Sequence, residues 1–135
     1  MNFKNYLNGQ VGNGSVQLKL YVDIMNYKLG FKLQNENNDE LGEALIIRNE
    51  YFRNNNIAQL PNETLEKVKN SCLQLDQNHY TEDIFDEALN YCYNELQKLF
   101  EEYKRTDEFK ELYKDFFLTT YIQCKMTIIG LINKI

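Results

Sequence analysis

Three cysteines and one histidine are the residues of this chain best suited to metal binding or nucleophilic chemistry. They are Cys72, Cys92, Cys124 and His79. A zinc site would need all four side chains to converge from wide spacings, without the closely spaced cysteine pairs typical of structural zinc sites. A Cys–His nucleophile pair has no better support, because His79 lies in a polar stretch beside Tyr80. We therefore expect reduced, buried cysteines and a solvated histidine.

Two further patterns that could do chemistry have ordinary structural explanations. The glycines at positions 9, 12 and 14 lack the lysine and the preceding strand that a phosphate-binding loop requires. Asp83 and Glu87 share one predicted helical face, where carboxylates are typical of a solvated surface. We therefore predict no intrinsic enzyme activity, no metal and no cofactor.

The composition predicts a single domain, residues 1–135, that can bury a core. Of the 135 residues, 43% are hydrophobic, and ten are Tyr and eight are Phe. The net charge is −5 and the cations are scattered, which argues against nucleic acid or an anionic membrane as a partner. Polar residues, including Gln123 and Lys125, interrupt the apolar C-terminal stretch, so we predict no membrane span. We expect a cytoplasmic location, since no secretory signal is recognisable.

Apolar residues that recur every three or four positions predict an all-α helical bundle of about six to eight helices. The longest pattern begins at Thr81, a predicted N-cap, and continues to Tyr103. Its apolar face consists of Phe85, Ala88, Leu89, Cys92, Leu96, Leu99, Phe100 and Tyr103. Short loops predict that the helices pack as antiparallel neighbours.

Shorter patterns predict the remaining helices. One stripe consists of Leu18, Tyr21, Val22, Met25 and Leu29. Other helices are predicted within residues 3–7, 41–52 and 61–72, and Thr106 is a second predicted N-cap. A final apolar face consists of Phe117, Tyr121, Cys124, Ile128, Leu131 and Ile132.

The order of these elements resembles the regulator of G-protein signalling (RGS) domain. The first matching block is Phe3-Lys4-Asn5-Tyr6-Leu7, a loop, and a helix that ends Met25-Asn26-Tyr27-Lys28. The second is the stretch from Glu43 to Phe52, and the third runs from Ile57 to Asn70 and is followed by Phe85-Asp86-Glu87-Ala88. Asp107-Glu108-Phe109-Lys110 resembles the family's Asp-Ser-Tyr junction. The resemblance covers nearly the whole chain, although most of the family's first helices are missing.

Several positions depart from the family pattern. Val16 and Gln17 replace a Glu-Asn pair, and Leu20-Tyr21 replaces Phe-Trp. Glu111 stands where the family has an arginine, which reverses the charge.

The resemblance implies that the chain binds the α subunit of a heterotrimeric G protein (Gα) and accelerates its GTP hydrolysis. RGS domains supply no catalytic group, because Gα carries its own arginine and a glutamine that orients the attacking water. They hold the switch segments of Gα in their transition-state arrangement, which accelerates hydrolysis only if that state is bound more tightly than the GTP state. Such a partner would also recruit the chain to the inner face of the plasma membrane.

The resemblance places the Gα-binding residues in three segments. They are Gly14, Ser15, Val16 and Gln17; then Lys69 and Asn70; then Asp107 and Glu111. Asn70 is the strongest single candidate, because an amide can donate to one backbone group and accept from another. Its alternative is a helix C-terminal Asn in left-handed geometry. For Gln17 the alternative is a solvated residue in a first helical turn.

Three functional hypotheses follow from the sequence. The first is an RGS domain that activates the GTPase of Gα. The second is an RGS-like interaction or scaffold module that lacks this activity. In that case the departures at Val16, Gln17 and Glu111 reflect the loss of GTPase acceleration. The third is an unrelated helical bundle.

Overall fold

The structure of the chain is a computed structural model that describes residues 2–10, 12–33, 39–111 and 114. Its elements are α1 (Phe3–Asn8), α2 (Gly14–Leu33), α3 (Glu40–Ile47), a π-helical continuation of α3 (Arg48–Phe52), α4 (Asn62–Ser71), a 3-10 turn (Leu75–Gln77) and α5 (Asp86–Lys104). Residues 107–111 are again helical. None of these described residues lies in a strand, which confirms the all-α prediction. The apolar face predicted from position 117 onward lies outside the described residues.

The two long helices α2 and α5 form the centre of the bundle and run antiparallel. The Tyr21 ring stacks on the Tyr93 ring at 6.3 Å between centroids, and Lys28 Nζ lies 2.6 Å from Asp86 Oδ1. Residues later in α2 thus contact residues earlier in α5, as they do in two antiparallel helices. Helices α1 and α3 pack against α2, and α4 packs against α5.

Aromatic side chains fill the core between these helices. Phe85 lies against the Tyr27 ring at 5.3 Å and stacks on the Phe52 ring at 5.9 Å. All three side chains are buried, and the Tyr27 hydroxyl donates a 2.5 Å hydrogen bond to the Thr81 carbonyl oxygen. The Phe85-Asp86-Glu87-Ala88 sequence therefore contributes two buried side chains, since Ala88 is also buried.

A second aromatic cluster joins α1 to the C-terminal end of α5. Phe3 and Tyr6 lie 5.5 and 5.0 Å from the Tyr103 ring, and Phe109 lies 5.2 Å from it on another side. Phe109 also contacts Phe100 edge-on at 6.2 Å. Phe109 is thereby held against the C-terminal end of α5, where α1 also packs.

The two predicted N-caps have different outcomes. The prediction at Thr81 is wrong, because residues 82–85 form a turn and α5 begins only at Asp86. The Thr81 hydroxyl donates to the Asp83 carboxylate instead of capping the helix. The prediction at Thr106 is confirmed, because its Oγ1 accepts a 3.2 Å hydrogen bond from the Phe109 amide.

The stripe that predicted α2 lies largely on the outer side of that helix. Leu20, Ile24 and Tyr27 are buried, whereas Val22 and Met25 are exposed. Helix α2 is apolar on two opposite sides, so either stripe predicts a helix. The side that enters the core is decided by the neighbouring helices.

Two of the three cysteines are free thiols within the core. Cys72 and Cys92 are both buried, as expected from the sequence. Burial raises the pKa of the Cys72 thiol to about 11 and that of Cys92 to about 12. Because the thiolate is the reactive form, both groups are poor nucleophiles at neutral pH. Cys124 lies outside the described residues.

Candidate functional site

The C-terminal end of α4 presents an exposed leucine between two buried anchors. Val68 lies in the core, and the Cys72 amide closes the helix by donating to the Val68 carbonyl oxygen at 3.0 Å. Cys72 and Leu75 point inward, so the intervening Leu73 points outward and is 70% exposed. Asn78 ends the following 3-10 turn with a φ of 61°, a left-handed conformation that asparagine tolerates.

Leu73 separates two open depressions of the surface. The first, of about 300 Å³, is lined by Arg48, Phe52, Arg53, Lys69, Cys72, Leu73 and Asp76. The second, of about 580 Å³, is lined by Asn70, Ser71, Leu73, Gln74, Asn78, His79, Tyr80, Thr81 and Ile84. We refer to Leu73 together with these two depressions as the α4 face.

The first depression is basic although the whole chain is acidic. Three cations, Arg48, Arg53 and Lys69, line it together with a single carboxylate, that of Asp76. Arg48 Nη1 lies 3.1 Å from Asp76 Oδ1, which neutralises one of the cations. The remaining positive charge makes this depression complementary to a carboxylate.

The second depression is lined by amides, hydroxyls and an imidazole. The Asn70 side chain is exposed on its rim and has no hydrogen-bond partner among the described residues. The amide can therefore donate and accept at once toward a bound chain. His79, expected to be solvated, lies on the same exposed surface. The predicted site residues Lys69 and Asn70 thus both belong to the α4 face.

The first predicted segment, at the start of α2, is used largely within the fold. Gln17 is buried, and its Nε2 donates a 3.2 Å hydrogen bond to the Ala58 carbonyl oxygen. Gly14 is also buried, and a Cβ there would lie 2.9 Å from Leu7 Cδ2 and 3.0 Å from Leu99 Cδ1. Ser15 and Val16 are half-buried. The alternative of a solvated Gln17 is wrong, because its amide crosslinks α2 to the loop before α4.

Replacing Gln17 with alanine is expected to lower the free energy of unfolding by about 2 kcal/mol. The substitution leaves the Ala58 carbonyl without its buried partner, which typically costs about 1–3 kcal/mol. Urea unfolding followed by circular dichroism would measure the loss. Gln97→Ala, at an exposed position of α5, is the matched control and should change stability by no more than about 0.5 kcal/mol. Equal stabilities of the two variants would contradict a structural role for Gln17.

The third predicted segment follows α5. Asp107 and Glu111 are exposed, and Asp107 occupies the first turn after the Thr106 cap. Acidic residues are favoured in such a turn by the helix dipole. Both side chains are accessible to a partner.

The structure does not gather the three segments on one surface. Gly14 contacts Leu99 near the C-terminal end of α5, and Asp107 follows that same end. Asn70 shares its depression with Ile84, just before α5 begins. The rise of a helix between these two ends corresponds to a separation of about 20 Å. The first and third segments therefore lie at one end of α5, and Lys69 and Asn70 lie at the other.

Neither a metal site nor a membrane-spanning helix is found among the described residues. No group of three or more His, Cys, Asp or Glu side chains there is placed to hold a metal ion. No helix in the same part of the chain is both long and apolar enough to cross a membrane.

Sequence reasoning missed Leu73, Arg48 and Arg53. Leu73 breaks the helical spacing of Leu65, Val68 and Cys72, and an apolar residue out of step in a polar stretch is a usable signal. No comparable signal marks the two arginines, because they join Lys69 only through the packing of the π-helical segment against α4.

No protein-family model matches this chain, and neither a curated protein nor a solved structure matches it.

Proposed function

We propose that this chain is a non-catalytic helical interaction domain that binds an acidic segment of a protein partner through the α4 face. The observation that carries the proposal is Leu73, which is 70% exposed between a basic depression and an amide-lined one. A single exposed leucine is ordinary on a protein surface. An apolar side chain flanked by cations on one side and amides on the other matches the composition of an interface, with a central anchor and a polar rim.

The chemistry of the partner follows from the lining of the α4 face. An apolar side chain of the partner packs on Leu73, and a carboxylate pairs with Arg53 and Lys69. Asn70 hydrogen-bonds to the backbone of the bound segment. The chain carries a net charge of −5, so long-range repulsion selects against acidic partners that do not engage this basic depression.

Lys69 and Asn70 belong both to the binding segments implied by the RGS resemblance and to the α4 face. Within that resemblance, the module without GTPase-accelerating activity is the better supported hypothesis. Acceleration requires three segments to hold the Gα switches together, and here two of them lie about 20 Å from the third along α5. The Gln17 amide is also occupied by Ala58 within the fold.

Selection of binding peptides tests the α4 face directly. We expect a displayed library of random peptides, selected on the folded chain, to yield acidic sequences with a common apolar residue. Leu73→Glu should weaken their binding at least about tenfold, because a carboxylate replaces the apolar anchor and repels the ligand. Ile46→Glu is the matched control, since Ile46 is 64% exposed on α3, and it should leave binding unchanged.

Two outcomes of the selection would contradict the proposal. Peptides that bind Leu73→Glu as well as the wild type would place the binding surface elsewhere. Basic or uncharged consensus sequences would contradict the assigned partner chemistry. Circular dichroism and thermal unfolding of Leu73→Glu would establish that the variant is folded, as expected for a substitution at an exposed position.

GTPase activation of Gα is the second candidate, and the exposed, unpaired Asn70 side chain favours it. Binding to Gα would be measured with GDP, with a GTP analogue, and with GDP and aluminium fluoride, which mimics the transferring phosphoryl group. Tightest binding in the fluoride state, lost in Asn70→Ala but kept in the exposed control Asn94→Ala, would support this candidate. Equal or absent binding in all three states would contradict it and leave the interaction domain as proposed.

A further inference from the structure

The basic depression of the α4 face holds two arginines at one shared acceptor. Asn49 Oδ1 lies 3.2 Å from Arg48 Nε and 3.5 Å from Arg53 Nη1. One neutral oxygen thus keeps together two guanidinium groups that repel each other. Lys69 lines the same depression and has no hydrogen-bond or ion-pair partner among the described residues. Since Asp76 is the single carboxylate of the lining, the depression keeps an excess of positive charge.

Asp76 holds Arg48 through one weak contact. The pair joins Arg48 Nη1 to Asp76 Oδ1 at 3.1 Å, and the Asp76 side chain is 76% exposed. An ion pair with so exposed a partner contributes little free energy in water. The Arg48 side chain is only 17% exposed and lies in a wall that includes the buried Phe52 and Cys72. An anion of higher charge can therefore replace the Asp76 carboxylate while Arg48 stays in place.

The number of donors in the basic depression matches a phosphate monoester better than a carboxylate. A carboxylate carries one charge and two oxygens, which a single bidentate arginine satisfies. A phosphate group on serine, threonine or tyrosine carries a charge of about −1.5 to −2 and three acceptor oxygens. Arg48, Arg53 and Lys69 supply two planar forks and one ammonium for those oxygens. Arginine clusters are a recurrent means of recognising phosphorylated segments.

The rest of the α4 face favours a phosphorylated protein segment over a lipid headgroup. The exposed Leu73 adjoins the basic depression, and the Asn70 amide lies beyond it in the second depression. An extended peptide reaches all three features, whereas a headgroup uses the cations alone. The net charge of −5 also disfavours approach to an anionic membrane surface.

We propose that the basic depression binds a phosphorylated side chain of the partner segment. The phosphate oxygens accept hydrogen bonds from Arg48, Arg53 and Lys69, and Asp76 is displaced from Arg48 into solvent. This inference rests on the proposed function and deepens it, because phosphorylation of the partner then controls whether the α4 face is occupied.

Three synthetic peptide libraries test the preference for phosphate. They are random at every position except the centre, which is fixed as phosphoserine, glutamate or serine. Each library is passed over the immobilised, folded chain, and the retained peptides are quantified and sequenced by mass spectrometry. We expect the phosphoserine library to be retained at least about tenfold more than the glutamate library, because it gains further charge-assisted hydrogen bonds. The retained phosphopeptides should share an apolar residue near the centre.

Two substitutions assign that binding to the basic depression. Arg53→Gln should weaken the affinity of the retained phosphopeptides at least about tenfold in fluorescence anisotropy, because one fork is lost. Arg105→Gln, which makes the same charge change at an exposed position beyond α5, is the matched control and should leave the affinity unchanged. Asp76→Asn should strengthen binding, since it removes the internal competitor for Arg48, and a gain cannot result from misfolding. Phosphopeptides that respond to neither Arg53→Gln nor Asp76→Asn would overturn the proposal.

The remaining outcomes separate this inference from the proposed function. Equal retention of the phosphoserine and glutamate libraries, with both weakened by Leu73→Glu, would overturn the phosphate preference and support the α4 face as an acidic-segment site. No retention of any library would overturn both proposals. Vesicles of phosphatidylcholine with a phosphoinositide are the probe for a lipid headgroup. Tighter binding to these vesicles than to the phosphopeptides would overturn the proposal in favour of a membrane surface.

Discussion

Replacing Phe85 with alanine is expected to lower the free energy of unfolding by about 3–5 kcal/mol, the largest effect of any single substitution proposed for this chain. Phe85 is completely buried and contacts Tyr27 edge-on and Phe52 face-on. Alanine would leave a cavity at the junction of α2, the π-helical segment and α5, and would remove both aromatic pairs. Urea unfolding followed by near-ultraviolet circular dichroism would measure the change.

Phe100→Ala is the matched control for this substitution. Phe100→Ala removes the same side-chain atoms as Phe85→Ala, but Phe100 is 37% exposed. The loss in the free energy of unfolding should therefore be less than half as large. Small domains are stable by only about 5–15 kcal/mol, so Phe85→Ala could be partly unfolded in water. Phe85→Leu, which keeps most of the volume and typically costs about 1–2 kcal/mol, would then supply a measurable value. Equal losses at positions 85 and 100 would contradict the described core.

The effect expected at Phe85 also explains what the Phe85-Asp86-Glu87-Ala88 sequence contributes. In the sequence it suggested a family and hence a function. In the structure its Phe85 and Ala88 are buried, and Asp86 pairs with Lys28 of α2. Its residues join α2 to α5 regardless of which partner the protein binds.

The presence of the helices could be predicted from this sequence because it depends on the local spacing of apolar residues. The apolar period along α5 is continuous from Ala88 to Tyr103, and a helix of that length has no competing local structure. The start of α5 could not be predicted as well, because Thr81 has the right chemistry for an N-cap. A tertiary contact prevents Thr81 from capping the helix, because the Thr81 carbonyl accepts a hydrogen bond from the hydroxyl of Tyr27, which lies 54 residues earlier on α2.

The arrangement of the candidate site could be predicted only in part. Lys69 and Asn70 lie together and are accessible because they are neighbours at a helix end. Gln17 is used within the fold because a carbonyl 41 residues away, that of Ala58, is placed within its reach. Such a partner leaves no trace in the local sequence, and neither does the pairing of Arg48 with Asp76.

Alkaline pH is expected to destabilise the fold steeply, because four buried groups in the core hold their protons more tightly than in the unfolded chain. Burial raises the pKa of Cys72 to about 11 and that of Cys92 to about 12, from an ordinary value of 9.0. Burial also raises the pKa of Tyr27 and Tyr51 well above their ordinary value of 10.0, and the hydrogen bond from Tyr51 to Asp23 adds to its shift. At neutral pH all four groups are protonated in both states and contribute no pH dependence.

At alkaline pH the unfolded chain binds fewer protons than the folded chain, so the free energy of unfolding falls as pH rises. Above about pH 9 the unfolded chain begins to release thiol protons, and above about pH 10 tyrosine protons, that the folded chain still holds. The free energy of unfolding therefore falls as pH rises through this window, by about 1.4 kcal/mol per pH unit for each proton retained. The summed loss is of the order of 8 kcal/mol by pH 11. Urea unfolding at a series of pH values between 8 and 11 would measure it.

A tyrosine variant assigns part of this pH dependence to the core. Tyr27→Phe removes one retained proton, so the slope above pH 10 should become shallower by about 1.4 kcal/mol per pH unit. Its stability at pH 8 should also fall, by about 1 kcal/mol, because the hydrogen bond to the Thr81 carbonyl is lost. Tyr93→Phe, at a position 48% exposed on α5, is the control for the stability at pH 8 and should change it by no more than about 0.5 kcal/mol. Equal slopes for the wild type and Tyr27→Phe would mean that the Tyr27 hydroxyl reaches solvent, which would contradict the packing of α2 against Phe85.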